Sequence, residues 1–173
     1  MSEAGEFQII EQFFTYPSFG AWKSQGVGDD CAIIDTGAGR LAVTCDMTAL
    51  GTHFFPDADP EDVGYKALAV NLSDLAAAGA VPRAFFLSIG LPRRDHGWLA
   101  DFSRGLMALA HESGCALLGG DTTRTPEIDG RHAPATISIT AMGDLPAGMG
   151  LTRSGAQPGD DIWVSGTVGD AYA

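Results

Sequence analysis

The chain has 173 residues, of which 45% are hydrophobic, and its 22 acidic residues against 10 basic ones give a formal net charge of −12. The apolar fraction and the nine Phe predict a sizeable core, which excludes a disordered acidic chain. The negative charge argues against nucleic acid or an anionic membrane as a partner. No apolar run is long enough to span a bilayer, and the acidic N-terminus lacks the basic start of a signal peptide, so we expect neither a membrane segment nor a leader.

Three cysteines, Cys31, Cys45 and Cys115, are odd in number and widely spaced, with no Cys-x-x-Cys pair. This pattern is typical of reduced thiols in the cytoplasm and does not fit a disulfide framework or a zinc site. The sequence therefore predicts a cytoplasmic location.

The apolar pattern predicts strands that alternate with helices. Two helices have clear boundary signals, because Asp59 and Asp95 are good N-caps and Gly79 and Gly114 fit the helix ends. In chain order the predicted elements are an amphipathic N-terminal helix with Phe7, Ile10, Phe13 and Phe14, strands at 31–34 and 41–45, a helix between Asp59 and Gly79, a strand at 84–91, a helix between Asp95 and Gly114, strands at 115–118 and 135–143 with a loop at 122–134, and a strand at 161–165.

Two long amphipathic helices each need one apolar surface, so this order predicts an α+β fold, a two-layer sandwich whose mixed sheet has its helices on one face. The strand at 135–143 alternates Ile with Thr or Ser, so one of its faces is not covered by helices. We predict that this exposed face meets a second copy of the chain, which forms a homodimer. The composition changes to Gly, Pro and Ser at 144–160. We therefore expect a first domain over 1–148, then a linker and the first strand of a C-terminal domain over 149–173.

Acidic residues occupy four segments where a charge is costly. Asp29 and Asp30 follow a Gly-Val-Gly turn, Asp46 ends an apolar strand, Asp74 lies in a helix among Ala and Leu, and Asp121 follows a strand and two glycines. A buried carboxylate without a partner is strongly destabilising. A hard divalent cation, which prefers oxygen ligands, neutralises such a group most simply. We predict that the four segments converge on a magnesium cluster that binds phosphate.

Each position has a plainer interpretation when it is taken alone. Asp29 and Asp30 fit a solvated turn, and Asp46 fits a helix or turn cap. Asp74 is the strongest candidate, because it shares a helix face with Asn71 and with small residues rather than with Lys or Glu. The two glycines before the last aspartate leave room for backbone N–H groups to approach an anion.

Other phosphate-binding signatures are missing from the sequence. No Gly-x-x-x-x-Gly-Lys-[Ser/Thr] loop occurs, Cys31 stands where a dinucleotide fingerprint needs its third Gly, and neither a kinase loop set nor an EF-hand spacing is present. We therefore expect nucleotide to be bound through carboxylate-held metal and glycine backbone, with no general base.

Six segments together resemble one enzyme family. They are VGDDCAII at 27–34, TCDM and GTHF within 44–54, YKALAVNLSDLAAAGA at 65–80, LLGGDTTR at 117–124, LTRSGAQPGD at 151–160 and VSGTVGD at 164–170. The chain resembles the thiamine-monophosphate kinases, within the aminoimidazole ribonucleotide synthetase-like superfamily. The resemblance covers nearly the whole chain, and the DLAAAGA and GGDTTR strings are highly specific in combination.

The resemblance implies an N-terminal, dimer-forming domain that binds ATP and magnesium. It implies transfer of the ATP γ-phosphate to thiamine monophosphate, giving thiamine diphosphate, with several Mg²⁺ ions and no nucleic-acid or membrane partner. The site residues that it implies are the metal ligands Asp30, Thr44, Cys45, Asp46, Asp74 and Asp121, the ATP contacts Gly120, Asp121 and Arg153, and the thiamine contact His53.

Cys45 departs from the family, which usually has Thr at this position, and a thiol is a poor magnesium ligand. The change is harmless if the position supplies its backbone carbonyl, and it weakens one metal if the position supplies a side-chain oxygen. Because the family's C-terminal domain adds further contacts, we expect this chain alone to be nearly inactive. Two alternatives stay open: another ATP-dependent member of the superfamily, and a non-catalytic acidic dimerisation domain.

Overall fold

The computed structural model describes residues 8, 10–14, 24–25, 29–148, 150–164 and 166–167. Its main feature is a six-stranded sheet in the order β1–β2–β3–β8–β4–β5. Strands β4 and β5 are parallel, and the other neighbours in this sheet are antiparallel. The strands are β1 Ser24–Gln25, β2 Ala32–Asp35, β3 Arg40–Ala49, β4 Val81–Leu91, β5 Ala116–Arg124, β6 Glu127–Ile128, β7 Arg131–His132 and β8 Thr136–Leu145.

Two helices, α1 at Pro60–Ala77 and α2 at His96–Ser113, pack on one face of the sheet. The boundary predictions are confirmed. The Asp59 carboxylate accepts a hydrogen bond from the Glu61 backbone N–H at 2.9 Å, and Asp95 accepts one from the Trp98 N–H at 3.1 Å. Gly114 ends α2 in the left-handed conformation with φ 65°. The predicted fold class, a mixed sheet with helices on one side, is confirmed.

The alternation of β8 shows how the two layers form. Ile137, Ile139 and Ala141 are almost fully buried against the helices, together with Leu68 and Leu75 of α1. We call this helix-covered side of the sheet the inner face and the opposite side the outer face. Residues of β8 that point to the outer face remain partly accessible, so the helices cover only one side of the sheet.

Gly64 and Gly105 allow the two helices to cross closely. A Cβ atom on Gly105 would overlap the carbonyl oxygen of Glu61, and one on Gly64 would overlap the carbonyl oxygen of Phe102. Next to this crossing the Arg104 guanidinium donates to Glu61 Oε2 at 2.6 Å. The helix pair therefore has no room for a side chain at either glycine.

The segment predicted as a loop at 122–134 is more ordered than we expected. Strand β5 continues to Arg124, because it pairs in parallel with β4 as far as Leu91. Strands β6 and β7 then form a hairpin whose turn residues Asp129 and Gly130 both have positive φ, 52° and 73°. Asp-Gly favours this two-residue turn, and the sequence prediction overlooked it.

Two predictions near the chain ends are only partly tested. Residues Ile10–Phe14 form a short π-helical segment in which Phe13 and Phe14 are exposed, while Phe7 lies outside the described residues. Of the strand predicted at 161–165, residues 161–164 are not in a strand, and residue 165 lies outside the described residues. The division into domains at 148 and 149 stays a prediction. Neither helix in the described ranges is both long and apolar enough to cross a membrane.

The helix crossing predicts opposite effects for two glycines of α2. We expect Gly105→Ala to lower the free energy of unfolding by about 1–3 kcal/mol or more, because the new methyl group overlaps backbone. Gly97→Ala is the matched control: its Cβ would lie 3.6 Å from Asp95 Oδ1, an ordinary contact, and we expect it to be neutral or stabilising by up to about 1 kcal/mol. Urea denaturation measures both, and equal stability of the two variants would contradict the close crossing.

Candidate functional site

Strand β3 and helix α1 bring three predicted site residues together. Thr44 and Asp46 project from β3 toward α1, where the Thr44 hydroxyl donates to Asp74 Oδ2 at 2.7 Å. The Asp46 backbone N–H donates to the side-chain oxygen of Asn71 at 3.2 Å, and the Asn71 amide donates to the Ala67 carbonyl at 3.1 Å. Because Asn71 is fully buried, these bonds fix the strand and the helix relative to each other.

The turn at Asp29 and Asp30 lies beside this pair and receives Arg153 from the far end of the chain. The Arg153 guanidinium donates to Asp30 Oδ1 at 2.6 Å, and its backbone N–H lies 3.2 and 3.3 Å from the two carboxylate oxygens of Asp29. The hydrogen bond to Asp30, with the charges of Asp30, Asp29 and Asp74, raises the pKa of Arg153. Leu151 N–H donates to the Ala78 carbonyl at 3.0 Å and holds this segment against the end of α1.

The Cys31 thiol lies beside the same carboxylates, and its pKa reflects their charge. Its thiol donates to the Asp74 carbonyl at 3.3 Å. Burial raises its pKa to about 12, with further contributions from the charges of Asp74, Asp30 and Asp29. Three carboxylates therefore act on one thiol. We call Asp29, Asp30 and Asp74, with Thr44 and Arg153, the acidic cluster.

Asp121 does not lie with the acidic cluster of its own chain. It pairs with Ser88 on β4, and that row continues through Ser138 to Met47 on β3. Three strand steps separate β5 from β3, which at about 4.8 Å per step places Asp121 roughly 14 Å from the Asp46 region. Cross-strand neighbours share a sheet face, so Asp121 follows Ser88 and Met47 on the outer face.

Gly120, the predicted nucleotide contact before Asp121, has a conformation that only glycine accepts readily. Its φ is 148°, and a Cβ atom would overlap the backbone of Leu87 on β4. The close approach explains why a glycine stands here, and it keeps β5 beside β4 through the irregularity at Phe85 and Phe86.

His53 lies in the loop after β3 and is held at two points. Its Nδ1 accepts from the Ala49 backbone N–H at 3.0 Å, and its carbonyl accepts from Lys66 Nζ at 2.7 Å. The neutral imidazole therefore carries its proton on Nε2 and can donate there. His53 and Lys66 line a cleft of about 350 Å³ together with Phe54 and Asp62.

Cys45 projects from β3 in the direction opposite to Thr44. Its exposed thiol accepts from the Thr140 hydroxyl at 3.3 Å and lies 3.6 Å from Ser138 Oγ, both on the outer face of β8. The thiol therefore does not face Asp74. Of the two options for this position, the arrangement within one chain favours the backbone carbonyl; its role as a ligand stays a prediction.

The donors of the acidic cluster suit magnesium in kind, since Asp30, Thr44 and Asp74 offer hard oxygen atoms. They do not form a complete site: across the part of the chain that the structure describes, no three His, Cys, Asp or Glu side chains lie close enough to hold one ion. Asp121 is the predicted ligand that lies farthest away. The metal assignments therefore stay predictions.

Comparisons with known proteins identify the family of the chain. The family model for AIR synthase related protein, N-terminal domain, matches residues 28–145, more than half of the chain. The chain belongs to this family. It is 44% identical to thiamine-monophosphate kinase from Salmonella typhimurium over 171 residues, an alignment that covers 98% of this chain and 50% of that protein. The chain spans about half the length of the curated relatives it matches.

Two solved structures share the fold of this family member. Thiamine-monophosphate kinase from Stenotrophomonas maltophilia K279a matches with a TM-score of 0.71 and 47% identity, covering 85% of this chain and 44% of that chain. AaThiL complexed with AMPPCP and TMP matches with a TM-score of 0.69 and 28% identity, covering 78% of this chain and 41% of that chain. The resemblance inferred from the six motifs is confirmed.

Sequence reasoning missed three contacts at the site, one of them made by Arg153, which was predicted only as an ATP contact. The pairing of Arg153 with Asp30 spans 123 residues, so no local spacing could indicate it. Lys66 was visible only as one of two lysines, and its bond to the carbonyl of His53 depends on the loop geometry. Cys31 was considered as an unpaired thiol and as a residue in place of a third glycine, although its position directly after two aspartates was a signal that it lies at the site.

The Thr44–Asp74 hydrogen bond predicts a stability difference between two threonines of β3. Thr44→Val removes the donor from a partly buried carboxylate, and we expect a loss of about 1–2 kcal/mol in the free energy of unfolding. Thr48→Val is the matched control, because Thr48 is equally buried on the same face, at 5% exposure, while the bond to Asp74 is made by Thr44. Thermal and urea unfolding measure the difference; a control that loses as much as Thr44→Val would contradict the role of the bond.

Proposed function

We propose that the protein to which this chain belongs transfers the γ-phosphate of ATP to thiamine monophosphate, giving thiamine diphosphate, with magnesium assistance. The main support is the similarity to AaThiL, a structure complexed with AMPPCP and TMP. The 44% identity to a named thiamine-monophosphate kinase over almost the whole chain supports the same reaction. We also propose a cytoplasmic location, in keeping with three free cysteines.

The transfer of the phosphoryl group needs no strong general base. The acceptor is a phosphate monoester whose second pKa is near 6, so its oxygen is already largely unprotonated at neutral pH. The obstacle is repulsion between two anionic groups, and bound Mg²⁺ supplies the charge neutralisation that lowers it. The oxygens of Asp30, Thr44, Asp46 and Asp74 would hold metal on this chain. The carboxylates among these residues fit a reaction that depends on charge neutralisation by metal.

Other residues would bind and orient the substrates. Arg153 is held by Asp29 and Asp30 with its charge already directed into the acidic cluster, a position suited to an incoming phosphate. Gly120 offers backbone without a side chain. His53 carries an Nε2–H donor in a ring fixed by Ala49, and we propose that it contacts the thiamine substrate.

We further propose that the protein forms a homodimer through the outer face. Met47 and Phe86 are exposed there, 59% and 39% of their surfaces being accessible, next to the exposed Cys45. Burial of these side chains against a second copy removes apolar surface from water.

The reaction is tested by incubating the full-length protein with ATP, Mg²⁺ and thiamine monophosphate. We expect thiamine diphosphate and ADP in equal amounts, detected by mass spectrometry, and no product when the metal is chelated. We expect Asp46→Asn and Asp121→Asn to abolish magnesium-dependent binding of AMPPCP in calorimetric titrations while the thermal unfolding profile is kept, because each loses one ligand charge.

The control for these variants is Asp129→Asn, since Asp129 lies in the β6–β7 turn with a positive φ that Asn also accepts. Unchanged AMPPCP affinity in both site variants would defeat the metal assignment. ADP release from other acceptors, without thiamine diphosphate from thiamine monophosphate, would favour another member of the superfamily. Nucleotide binding that does not respond to Mg²⁺ would favour a non-catalytic domain.

The dimer is tested with Met47→Lys, which places a charge on the outer face. We expect light scattering to give twice the mass of the chain for the wild type and a mass near that of one chain for the variant, because burying the ammonium is strongly unfavourable. Ile128→Lys is the control, as Ile128 is also exposed but lies on the β6–β7 hairpin. Cys45 should react with iodoacetamide in the monomeric variant and be protected in the wild type; equal reaction in both would count against this interface.

A further inference from the structure

A second cleft, separate from the acidic cluster, opens beside β5 and the start of α2. Its volume is about 480 Å³, within the usual range for small-molecule sites. Arg93, Arg94 and Arg124 line it, together with Thr122, Thr123 and two leucines. Three guanidinium groups thus share one concave surface.

This concentration of positive charge is unusual for the chain. Only 10 of its 173 residues are Lys or Arg, and the net charge is −12. Several other arginines are paired with carboxylates: Arg83 with Asp144 at 2.7 Å, Arg104 with Glu61 at 2.6 Å and Arg153 with Asp30 at 2.6 Å. The cleft differs because three arginines lie together there, and this clustering calls for a chemical explanation.

The pairing of the cleft arginines is weak or lacking. Arg93 reaches Asp95 only at 3.5 Å, and 80% of its side chain is exposed. Within the described ranges, Arg94 and Arg124 form no ion pair. When Asp95 is counted as the partner of Arg93, the positive charges of Arg94 and Arg124 face the cleft without a carboxylate partner among the described residues.

The position of the cleft in the fold favours a ligand. Strands β4 and β5 are the parallel pair of the sheet, and Thr122 and Arg124 lie opposite Ile89 and Leu91 near their carboxyl ends. Ligands of open α/β sheets bind at such ends. Threonine hydroxyls and guanidinium groups are donors that phosphate oxygens accept, and arginine forms paired bonds with phosphate.

We propose that the cleft formed by Arg93, Arg94, Arg124, Thr122 and Thr123 is a binding site for phosphate groups. Its volume exceeds the needs of a single phosphate ion, so it suits a diphosphate or a phosphate ester. The phosphate can belong to a nucleotide, since Thr122 directly follows Asp121, or to a different ester or free anion. The inference does not depend on the proposed kinase reaction, because it rests on residues that the metal assignments do not use.

The test is a calorimetric titration of the full-length protein with pyrophosphate in the presence of EDTA, which removes any contribution of bound metal. The variant is Arg94→Gln combined with Arg124→Gln, and the control is Arg131→Gln, an exposed arginine on β7 that does not line the cleft. We expect saturable binding to the wild type that weakens as salt is raised. We expect an affinity loss of about tenfold or more in the double variant and a change within about twofold in the control.

Arg124→Lys separates charge from geometry, because lysine keeps the charge but not the two parallel donors; we expect an intermediate loss of affinity. Parallel titrations with AMPPCP and with thiamine monophosphate identify the source of the phosphate. A loss for one of these ligands in the double variant, in addition to the loss for pyrophosphate, assigns the cleft to that ligand, and a loss for pyrophosphate alone assigns the cleft to a free anion. Each of these results supports the proposal.

Two results would overturn the proposal: no saturable pyrophosphate binding by the wild type, or equal affinity in the wild type and the double variant. Circular dichroism and the thermal midpoint of the variant show whether it is folded. Both outcomes are distinguishable from a failure of the proposed reaction, because formation of thiamine diphosphate is measured separately and with metal present.

Discussion

The hydrogen bonds between β3 and α1 are the constraint on which the site depends. Asn71 is fully buried and has one bond to the helix backbone and one to the N–H of Asp46. Thr44, which is also buried, donates a hydrogen bond to Asp74, about one helical turn after Asn71. A buried polar group must keep its partners, so any shift of the helix along the strand would break several bonds together. The positions of the two carboxylates are therefore set by the same packing that buries the core.

The acidic cluster also explains how the end of the chain joins the domain. Arg153 supplies the positive charge that Asp29 and Asp30 require, and its backbone N–H completes the contact. The same arginine lies where an anionic substrate would bring further negative charge. If the cluster holds metal as proposed, the ion and Arg153 together neutralise its carboxylates.

Much of the fold could be predicted from local signals. Asp59 and Asp95 satisfy the first N–H groups of the helices, Gly114 adopts the left-handed conformation at a helix end, and the alternation at 135–143 marks a strand with one buried face. These features depend on neighbouring residues in the sequence. The continuation of β5 to Arg124 could not be predicted this way, because it depends on the length of β4 beside it.

The site was predicted less completely, for a physical reason. Asp46 and Asp121 were expected at strand ends, but they lie within β3 and β5. Asp30, Asp46 and Asp74 do lie in one region, as the predicted cation site requires. Sequence order gives no sheet order, so the three strand steps to Asp121 could not be foreseen. Nor could the pairing of Arg153 with Asp30, since ion pairs between distant segments follow from the fold rather than from spacing.

The central claim is that the acidic cluster holds the metal that binds nucleotide. Crystals of the full-length protein grown with Mn²⁺ and AMPPCP test it most directly, because anomalous scattering locates each ion. The account predicts ions at coordination distance, about 2.0–2.6 Å, from the carboxylates of Asp30 and Asp74. Ions bound elsewhere, with Arg153 still paired to Asp30 and nucleotide in place, would contradict it.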